Sequence, residues 1–470
     1  MSSPVRIIVV GAGITGLTAA YRLSAALPDA RITIIEADDR VGGKIRSTPF
    51  AGIEGIDEGA DAFLTRVPHA IALARELGLG DALTSPAVAS ANVWWNGLHR
   101  IPDGLLLGMP SDIGKLARTK LLTWPGKFRA ALEPILPATG VAQDSVGKLI
   151  RKRFGRQVHE RLVDPLVGSI YAADTEHFSL SGVPQIEQLA INNRSLLIGA
   201  RRTRVKAAKT AGTTPVGPIF ATPNAGMATL TNALADVLAE RGVEIRLGTT
   251  VSRLYRGDVE RGRWLIDGEP ADAVVLATPA KPTGPLLADV SAEAAGALAS
   301  YVHAGVVMLT LAIPASDWPE SLLGYSGYLV PKPVQQWVTA ASFATAKWDH
   351  WRTTADDTFL LRISLGRDGR DLTGESDEAL LAAAIAEVGH HLDMTLHPTA
   401  HRITRWPLAF PQYRPGHAAK VAAIEAALAR DAAGVFVAGA SYHGIGIPAC
   451  IAQANAVADA VSAFLTTVGN

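Results

Sequence analysis

Two short runs of consecutive apolar residues near the start of the chain predict buried parallel strands. They are Arg6–Val10 (RIIVV) and Arg31–Glu36 (RITIIE), both rich in β-branched residues and without the polar alternation of a half-exposed strand. Between them, Leu17–Leu27 has the periodicity of a helix and is followed by Pro28. A strand, a turn, a helix and a second strand within about thirty residues predict a right-handed βαβ unit.

Similar patterns return later in the chain, separated by other material. Met227–Glu240 predicts a strong helix, and Gly242–Leu247 and Asp272–Ala277 predict two more buried strands. Near the end, Gly434–Ala438 predicts a strand and Ile451–Leu465 predicts a helix. We therefore expect one parallel sheet whose strands come from the beginning, the middle and the end of the chain.

The intervening segments have different patterns. Trp94–Arg100 predicts a hairpin that turns at Asn96-Gly97, and residues 101–178 are mostly helical in pattern. Arg194–Thr214 is polar, basic and rich in Ala and Thr, which predicts a mobile surface segment. The sequence thus predicts inserted material between the pieces of the sheet.

The turn of the βαβ unit carries the first chemical signal. Gly11-Ala12-Gly13-Ile14-Thr15-Gly16 matches G-x-G-x-x-G between a predicted strand and a predicted helix. The first glycine allows a tight turn, the second lets the backbone approach a pyrophosphate, and the third lets the helix pack on the sheet. Glu36 ends the next strand about 20 residues further on, where a carboxylate accepts hydrogen bonds from a ribose 2′-hydroxyl. Together these features predict a dinucleotide site.

A second glycine pair favours FAD over NAD. Arg40-Val41-Gly42-Gly43-Lys44 resembles an extension found in FAD-binding, amine-oxidase-like flavoproteins, whereas a plain NAD dehydrogenase has no obvious use for it. No second G-x-G-x-x-G follows a predicted strand, so the sequence predicts no separate nicotinamide domain. Electrons from the reduced flavin then pass to oxygen, to another acceptor or to a nicotinamide at an unrecognised site, and oxygen is the simplest choice.

The C-terminal motif agrees with a flavin site. In Val435–Ile451 (VFVAGASYHGIGIPACI) a strand ends in small residues and a glycine-rich turn opens a helix. The positive end of that helix is placed to stabilise negative charge at the N1–O2 edge of a reduced flavin. A strand, turn and helix that only pack together are the alternative.

Composition and charge exclude several classes of function. The 44 Lys and Arg residues balance 44 Asp and Glu residues, which gives no sign of a nucleic-acid partner. The one cysteine, Cys450, excludes an internal disulfide framework and a cysteine-rich metal site, and we interpret it as a small buried residue, so FAD is expected to be non-covalent. Neither a leader peptide nor an apolar run long enough to span a bilayer is evident. We expect a cytoplasmic protein with no metal, and leave peripheral membrane contact open.

Seven segments carry a resemblance to a known family. They are, in chain order, GAGITGLTAAYRL (11–23), EADDRVGGKI (36–45), DEGADAFL (57–64), NGLHRIPDG (96–104), LVDPLVGSIYAAD (162–174), RWPLAFPQYRPGH (405–417) and SYHGIGIPACI (441–451). The sequence resembles the oxygen-dependent protoporphyrinogen oxidase family, and most closely its Gram-positive branch, which acts on coproporphyrinogen III. Carotene desaturases and monoamine oxidases share the first two segments and are not expected to share those of the middle and the end.

The resemblance implies an FAD enzyme of haem biosynthesis that removes six electrons from coproporphyrinogen III, forming coproporphyrin III and hydrogen peroxide. It implies an α/β fold in which a Rossmann-like, amine-oxidase-like FAD-binding domain (residues 1–70, 221–285 and 405–470) is interleaved with other material. That material is a mixed α+β substrate-binding domain (71–100 and 286–404) and a mainly helical insertion (101–220). Transfer of the product to a ferrochelatase is left open.

Cofactor contacts are carried over from the family position by position. The resemblance places the pyrophosphate loop at Gly11 to Gly16 and the ribose contact at Glu36 and Ala37. It adds further flavin-contacting positions, namely Lys44, Gly59, Ala60, Asp61 and Ala62, a backbone contact to adenine at Val251 in the strand after Gly242, and Trp406, Ile445, Gly446 and Ile447 around the isoalloxazine ring. Ala60 and Ala62 depart from the family, which usually has Pro and Ser there, so backbone contacts are expected to persist and a hydroxyl contact is not.

No acid–base pair or metal cluster stands out in the sequence, as expected if the chemistry occurs at the flavin N5. Carboxylates on the substrate require Arg or Lys, and Arg66 is a candidate, with a solvated surface arginine as the alternative. Tyr171 and Tyr442 are candidates for pocket walls or core residues, and His443 for a proton relay or a structural histidine.

Three other functions stay open at this point. Protoporphyrinogen IX is an alternative substrate, and an FAD amine oxidase or desaturase would keep the N-terminal motifs. A non-catalytic protein with a degenerate flavin site is the third, and the intact glycine motif and Glu36 argue against it.

Overall fold

The computed structural model describes residues 4–88, 90–137, 144–211, 217–257, 263–353, 355 and 357–469. The strands, in chain order, are β1 (Arg6–Val10), β2 (Arg31–Ile35), β3 (Ser47–Phe50), β4 (Ile53–Asp57), β5 (Phe63–Leu64), β6 (Leu83–Thr84), β7 (Ala91–Trp94), β8 (Leu98–Arg100), β9 (Leu105–Leu106), β10 (Met109–Pro110), β11 (Phe220–Pro223), β12 (Glu244–Arg246), β13 (Leu254–Arg256), β14 (Trp264–Ile266), β15 (Glu269–Ala271), β16 (Ala273–Leu276), β17 (His303–Pro314), β18 (Gly327–Leu329), β19 (Val338–Phe343), β20 (Thr358–Leu365), β21 (Ala400–Pro411) and β22 (Val435–Val437).

The helices, in chain order, are α1 (Ile14–Ala26), α2 (Pro68–Glu76), α3 (Ile113–Arg118), α4 (Trp124–Ala131), α5 (Val146–Phe154), α6 (Arg156–Val158), α7 (Asp164–Tyr171), α8 (Pro184–Asn192), α9 (Leu196–Ala211), α10 (Ala228–Glu240), α11 (Ala280–Leu286), α12 (Ala292–Ala299), α13 (Ala344–Lys347), α14 (Asp377–Leu392), α15 (His417–Asp431) and α16 (Ile447–Gly469). A π-helical stretch, His159–Val163, joins α6 to α7.

A five-stranded parallel sheet confirms the predicted βαβ unit. Its strand order is β12-β2-β1-β16-β22, and Ile7 of β1 pairs with Ile32 of β2 on one side and with Ala273 of β16 on the other. One face packs against α1, α10 and α16, and the other against α11, α12 and α15. Burial on both faces explains why β1 and β16 contain unbroken apolar runs, whereas β12 at the edge was wrongly predicted to be buried and is partly exposed. The strands come from three distant regions of the chain, as the pattern predicts.

A seven-stranded sheet has the order β21-β17-β20-β19-β18-β7-β8. On one face, the large side chains of alternate residues, such as Leu361 and Ile363 of β20, pack with α14 in a single hydrophobic core. On the other face, the alternate positions include Ser342 and Ser364 as well as the larger Met308 and Arg362, and these four residues line a cavity. The predicted hairpin at its edge is confirmed, because β7 and β8 pair in antiparallel fashion around a turn with positive φ at Asn96 and Gly97.

The prediction that Arg194–Thr214 is a mobile surface segment was wrong, because most of this segment forms the helix α9. Leu196, Leu197 and Ala200 are buried in the core of the helical region between residues 109 and 200. The basic residues of this helix are mostly exposed. Because they dominate its composition, the short apolar stripe at its start is hard to recognise in the sequence. Residues 212–214 lie outside the described residues.

The predicted position of Val251 within a strand was also wrong. The strand after Gly242 ends at Arg246, and Gly248, with a φ of +63°, turns the chain out of the sheet. Val251 therefore lies in the irregular segment before β13, where it packs on the core shared by β16 and α12.

The last helix is longer than predicted, since α16 begins at Ile447 rather than Ile451. By length and composition, its residues Ile447–Thr467 are apolar enough to cross a membrane, which the sequence reading overlooked. In the structure its buried residues, including Ile451, Ala454 and Val461, pack with α1 in the core of the parallel sheet. Burial inside the fold accounts for part of its apolar character, since 39% of its apolar window is buried.

Candidate active site

A cavity of about 900 Å³ lies where the two large sheets meet. Gly11, Glu36 and Ala277 line one end and follow directly on β1, β2 and β16, so this end lies at the carboxyl edge of the parallel sheet. Ligands of open α/β sheets bind at that edge. Met308 and Ser364 line the other end, on the seven-stranded sheet. A ligand that fills the cavity contacts both halves of the fold.

The glycine motif has the geometry of a phosphate-binding turn. A Cβ atom on Gly16 would lie 1.9 Å from the carbonyl oxygen of Gly11, so only glycine lets α1 approach β1 this closely. A Cβ on Gly13 would have no atom within 4 Å, because this residue borders the cavity. The second glycine pair packs on the first motif, with Gly42 donating its N–H to the Ala12 carbonyl at 2.8 Å.

Glu36 is held with its carboxylate at the cavity. Its Oε2 accepts the backbone N–H of Ala12 at 2.6 Å, and its Oε1 accepts that of Asp38 at 2.9 Å. Each carboxylate oxygen retains a further lone pair, since an ionised carboxylate accepts about four hydrogen bonds. This acceptor fits the vicinal hydroxyls of a ribose.

Lys44 lies deeper in the same cavity. Its Nζ donates to the Ala409 carbonyl at 2.8 Å, which fixes the side chain against β21. Burial lowers the pKa of the Lys44 ammonium to about 8, because a charged amine is poorly solvated there. The side chain thus offers hydrogen-bond donors beside the cavity at neutral pH.

The segment after β4 and the strand β21 meet at the wall of the cavity. The Trp406 indole Nε1 donates to the Glu58 carbonyl at 3.1 Å, and both Gly59 and Trp406 line the cavity. A Cβ on Gly59 would lie 2.8 Å from the Lys44 carbonyl oxygen and 3.7 Å from the indole. Because Gly59 has no side chain, its backbone can lie close to the Lys44 carbonyl beside the Trp406 indole.

The C-terminal turn closes the cavity beside the start of α16. Ile445 and Ile447 line the cavity together with Cys450. The Cys450 Sγ lies 3.7 Å from the Ile445 carbonyl oxygen, and burial raises the pKa of this thiol to about 11, so it stays protonated. This arrangement agrees with the interpretation of Cys450 as a small buried residue.

Most of the residues carried over from the family lie around this cavity. Those that line it are Gly11, Gly13, Ile14, Thr15, Glu36, Ala37, Lys44, Gly59, Ala60, Asp61, Trp406, Ile445 and Ile447. Those that do not line it are Ala12, Gly16, Ala62, Val251 and Gly446. Ala12 and Gly16 are buried within the motif.

The weaker candidates lie away from the cavity wall. Arg66 is exposed, in agreement with the alternative of a surface arginine. Tyr171 stacks on Phe178 with ring centroids 5.0 Å apart, and Tyr442 is buried in the core between α11 and α15. His443 is a surface residue whose Nε2 lies 2.7 Å from a Glu425 carboxylate oxygen. None of these four lines the cavity.

A charged cluster at the cavity was not identified from the sequence. Asp61 Oδ2 lies 2.8 Å from the Lys347 Nζ and 3.2 Å from the Arg362 Nη1. Burial by itself would raise the pKa of Asp61, but the two cations hold it well below its usual range, so the carboxylate is ionised. The available signal was Arg362 itself, a lone arginine in the apolar strand β20 (TFLLRISL).

A second ion pair lines the cavity just beyond the C-terminal end of β20. Arg367, which follows β20, lies 3.1 Å from the buried carboxylate of Asp164 and also donates to the Ala173 carbonyl. Thr175 donates its hydroxyl to Asp164 at 2.6 Å. The charge of Arg367 is therefore balanced within the protein.

Comparison with known proteins agrees with this geometry. Residues 14–462 match the family model described as flavin containing amine oxidoreductase. The coproporphyrinogen III oxidases of Bacillus subtilis and Mycobacterium leprae are 31% and 33% identical, each aligned over 97% of this chain and 98% of the relative. A crystal structure from Exiguobacterium sp. 255-15, provisionally named protoporphyrinogen oxidase, has a TM-score of 0.86 and 31% identity over 98% of this chain and 99% of that chain.

The residues at the cavity fit the cofactor of this family, FAD. The open space at Gly13 admits a pyrophosphate, Glu36 has unused acceptors for a ribose, and the cavity continues from there to Trp406 and Ile445. The chain therefore belongs to the flavin containing amine oxidoreductase family and groups within it with the coproporphyrinogen III oxidases.

Proposed function

We propose that this protein catalyses the oxygen-dependent oxidation of coproporphyrinogen III to coproporphyrin III in haem biosynthesis. Six hydrogens leave the substrate as three hydride and proton pairs, and three molecules of oxygen become three of hydrogen peroxide. One observation carries the proposal: a single cavity joins the dinucleotide motif to a broad, mostly apolar wall that also contains cations. The names of its full-length relatives support the same substrate.

FAD, when bound, supplies the hydride acceptor for this oxidation and passes the electrons to oxygen. We assign its pyrophosphate to Gly11–Gly16, its ribose to Glu36 and Ala37, and its ring system to the neighbourhood of Lys44, Gly59 and Trp406. Ile445, Gly446 and Ile447 complete that neighbourhood at the start of α16. Because Cys450 is protonated and buried, we propose that the cofactor is held without a covalent bond.

The apolar wall positions the macrocycle. Val306 and Met308 of β17 and Ala340 of β19 line the cavity beside the small residues Ser342 and Ser364. Small side chains on a sheet leave a flat floor, which suits a wide ring and excludes water from it. Orientation and water exclusion are the main requirements here, since aromatisation of the product drives the reaction.

The functional units of the chain follow from the same assignment. We propose an FAD-binding domain of residues 1–70, 221–285 and 405–470, a substrate-binding domain of 71–100 and 286–404, and a helical insertion of 101–220. We also propose that the enzyme acts in the cytoplasm and passes its product to a ferrochelatase.

Oxidation of protoporphyrinogen IX is a second candidate function. The name of the Exiguobacterium structure favours it, and the two substrates share the same ring. They differ in charge, because one ring carries four carboxylates and the other two. The discrimination therefore depends on contacts to carboxylates around the cavity.

Aerobic turnover of both porphyrinogens by the purified, FAD-loaded protein tests the proposal. Porphyrin fluorescence and peroxide are followed together, and about three peroxides per porphyrin are expected from six-electron flavin chemistry. Faster turnover of coproporphyrinogen III supports the proposal, and a preference for protoporphyrinogen IX supports the second candidate. A lack of turnover of either substrate by the FAD-loaded protein contradicts both.

A further inference from the structure

Lys347 presents an ammonium group to the cavity. It ends the short helix α13, and its side chain lines the cavity with about 20% of its surface exposed. Its Nζ donates to Asp61 Oδ2 at 2.8 Å and lies 5.0 Å from the centre of the Trp348 ring. An ammonium has three N–H donors, and Asp61 is its hydrogen-bond partner among the described residues. Donors therefore remain for a ligand.

The surroundings of Lys347 hold it in this place. Asp61 Oδ2 also accepts the Trp348 indole N–H at 3.1 Å, and Trp348 is fully buried. Arg362, with 3% of its side chain exposed, lies 3.2 Å from the same carboxylate and donates to the Gly59 carbonyl at 2.7 Å. An ammonium anchored to a rigid carboxylate loses little freedom when it binds a ligand.

The charges of this cluster favour an anionic ligand. Lys347 and Arg362 are two cations and Asp61 is one anion, so the cluster carries a net charge of about +1 at a partly desolvated wall. The other cations at the cavity are less suited. Arg367 is neutralised by Asp164, and Lys44, whose Nζ donates to the Ala409 carbonyl, is assigned to the neighbourhood of the cofactor.

We propose that Lys347 binds a carboxylate of the substrate, with Asp61 and Arg362 as positioning residues that hold its ammonium towards the cavity. This contact rests on the proposed function and deepens it, because it names a group that recognises the carboxylates of the porphyrinogen side chains. A charge-assisted hydrogen bond of this kind contributes to substrate affinity and leaves the hydride transfer itself unchanged.

The test compares Lys347→Met with the wild-type enzyme on two substrates, coproporphyrinogen III and its tetramethyl ester. The ester keeps the ring and lacks the carboxylates. For the acid, we expect the variant to raise KM by about tenfold or more, with kcat changed less than about threefold. For the ester, we expect the same KM in both proteins. Lys347→Arg keeps the charge and is expected to restore most of the affinity for the acid.

Two controls separate this role from a structural one. In Lys347→Met, Asp61 keeps Trp348 and Arg362 as partners, so the fold and the FAD content should match the wild type. Lys420→Met is the matched variant, because Lys420 also lies over an aromatic ring, that of Tyr301, and does not line the cavity. It should leave KM unchanged for both substrates.

The outcomes distinguish this inference from the function on which it rests. If wild-type enzyme does not turn over coproporphyrinogen III, the proposed function and this inference both fail. If wild type turns it over and Lys347→Met has an unchanged KM for the acid, only the carboxylate contact is refuted. An equal rise in KM for acid and ester also refutes it, because the loss would then be one of shape and not of charge.

Discussion

Gly13 and Gly16 have opposite surroundings although they lie three positions apart in the same turn. A side chain on Gly16 would meet the Gly11 carbonyl at 1.9 Å, whereas a side chain on Gly13 would point into open space at the cavity. We expect Gly16→Ala to lower the melting temperature of the apoprotein by at least about 5 °C, because the backbone itself must move. We expect Gly13→Ala to keep that temperature and to weaken FAD binding by at least about tenfold.

Calorimetry of the two apoproteins and titration with FAD measure these effects. Equal losses of stability in the two variants would contradict the assignment of Gly13 to the cofactor side of the turn. Gly374→Ala offers a comparison glycine, since Gly374 also has open surroundings, has no positive φ and lies outside the cavity lining.

Asp57 makes the stability of the fold depend on pH. Burial raises the pKa of this carboxyl to about 7, even though Ser47 and the Met227 N–H donate to it. The unfolded chain ionises near 3.8, so the folded state holds a proton that the unfolded state has lost. This contribution to stability is fully present below about pH 4 and is lost as the pH rises to about 7, and it amounts to at most about 4 kcal/mol.

We therefore expect Asp57→Asn to become more stable relative to the wild type as the pH rises from 4 to 8. Melting temperatures of the two proteins across that range give the measurement. Parallel curves would mean that Asp57 ionises in the folded protein as it does in the unfolded chain.

At the residue scale, the sequence predicted those site residues whose partners are close along the chain. The glycine motif and Glu36 were found because a short spacing implies their contact. Arg362 was missed because its partner Gly59 lies 303 positions away and no local pattern links the two. Lys347 was missed for the same reason, since its contact with Asp61 joins residues 286 positions apart.

Among the elements, α9 depends on a buried carboxylate at its start. Glu133, with no exposed surface, accepts hydrogen bonds from the Ser195 hydroxyl and from the N–H groups of Leu196 and Leu197, and it pairs with the buried Arg153. These contacts satisfy the free N–H groups of the first turn of the helix and favour its positive end.

We expect Glu133→Gln to destabilise the protein by about 3 kcal/mol, because Arg153 is left buried without a countercharge. Urea unfolding of the holoprotein measures the change. Glu293→Gln removes one exposed partner of Arg430, which keeps Asp431, and serves as control, with no measurable shift expected. A similar shift in both variants would contradict the role assigned to Glu133.

Element boundaries show where local pattern ceases to be informative. β1 was predicted to the residue because all of its residues after Arg6 are buried, which gives an unbroken apolar run. β12 is shorter than its apolar pattern, because Gly248 donates to the Asp38 carbonyl and draws the chain away from the sheet towards the loop after β2. α9 was misread because tertiary burial of three residues outweighs its polar composition.

For the whole molecule, the cofactor site depends on the last segment of the chain. β22 pairs with β16, and α16 contributes buried residues to the core beneath the glycine motif. We expect a chain that ends at Ala433 to bind no FAD, although it keeps Gly11–Gly16 and Glu36. Absorbance near 450 nm after gel filtration measures the bound flavin.

Coexpression of residues 434–470 as a separate chain is expected to restore part of that absorbance. A truncated protein that binds FAD as tightly as the wild type would show that β22 and α16 are dispensable for the site. The fold class was predictable because the βαβ unit is local, and the C-terminal motif pointed to a contribution to the flavin site. The pairing of β22 with β16 was not predictable, because no local pattern links strands so far apart in the chain.

Because the strands of the parallel sheet come from distant parts of the chain, the ribosome synthesises them at different times. The phosphate-binding turn leaves the ribosome early, but β22 follows more than 400 residues later. At about 5 to 20 residues synthesised per second, the nascent chain has the glycine turn but lacks β22 for roughly 20 to 80 s. β16 has an unpaired edge only for the last part of this interval, between its own synthesis and that of β22, while α1 has an uncovered apolar face until α16 is made. We expect flavin to be captured only after β22 and α16 have been synthesised, so yield in a cell should depend on chaperones that protect the incomplete site.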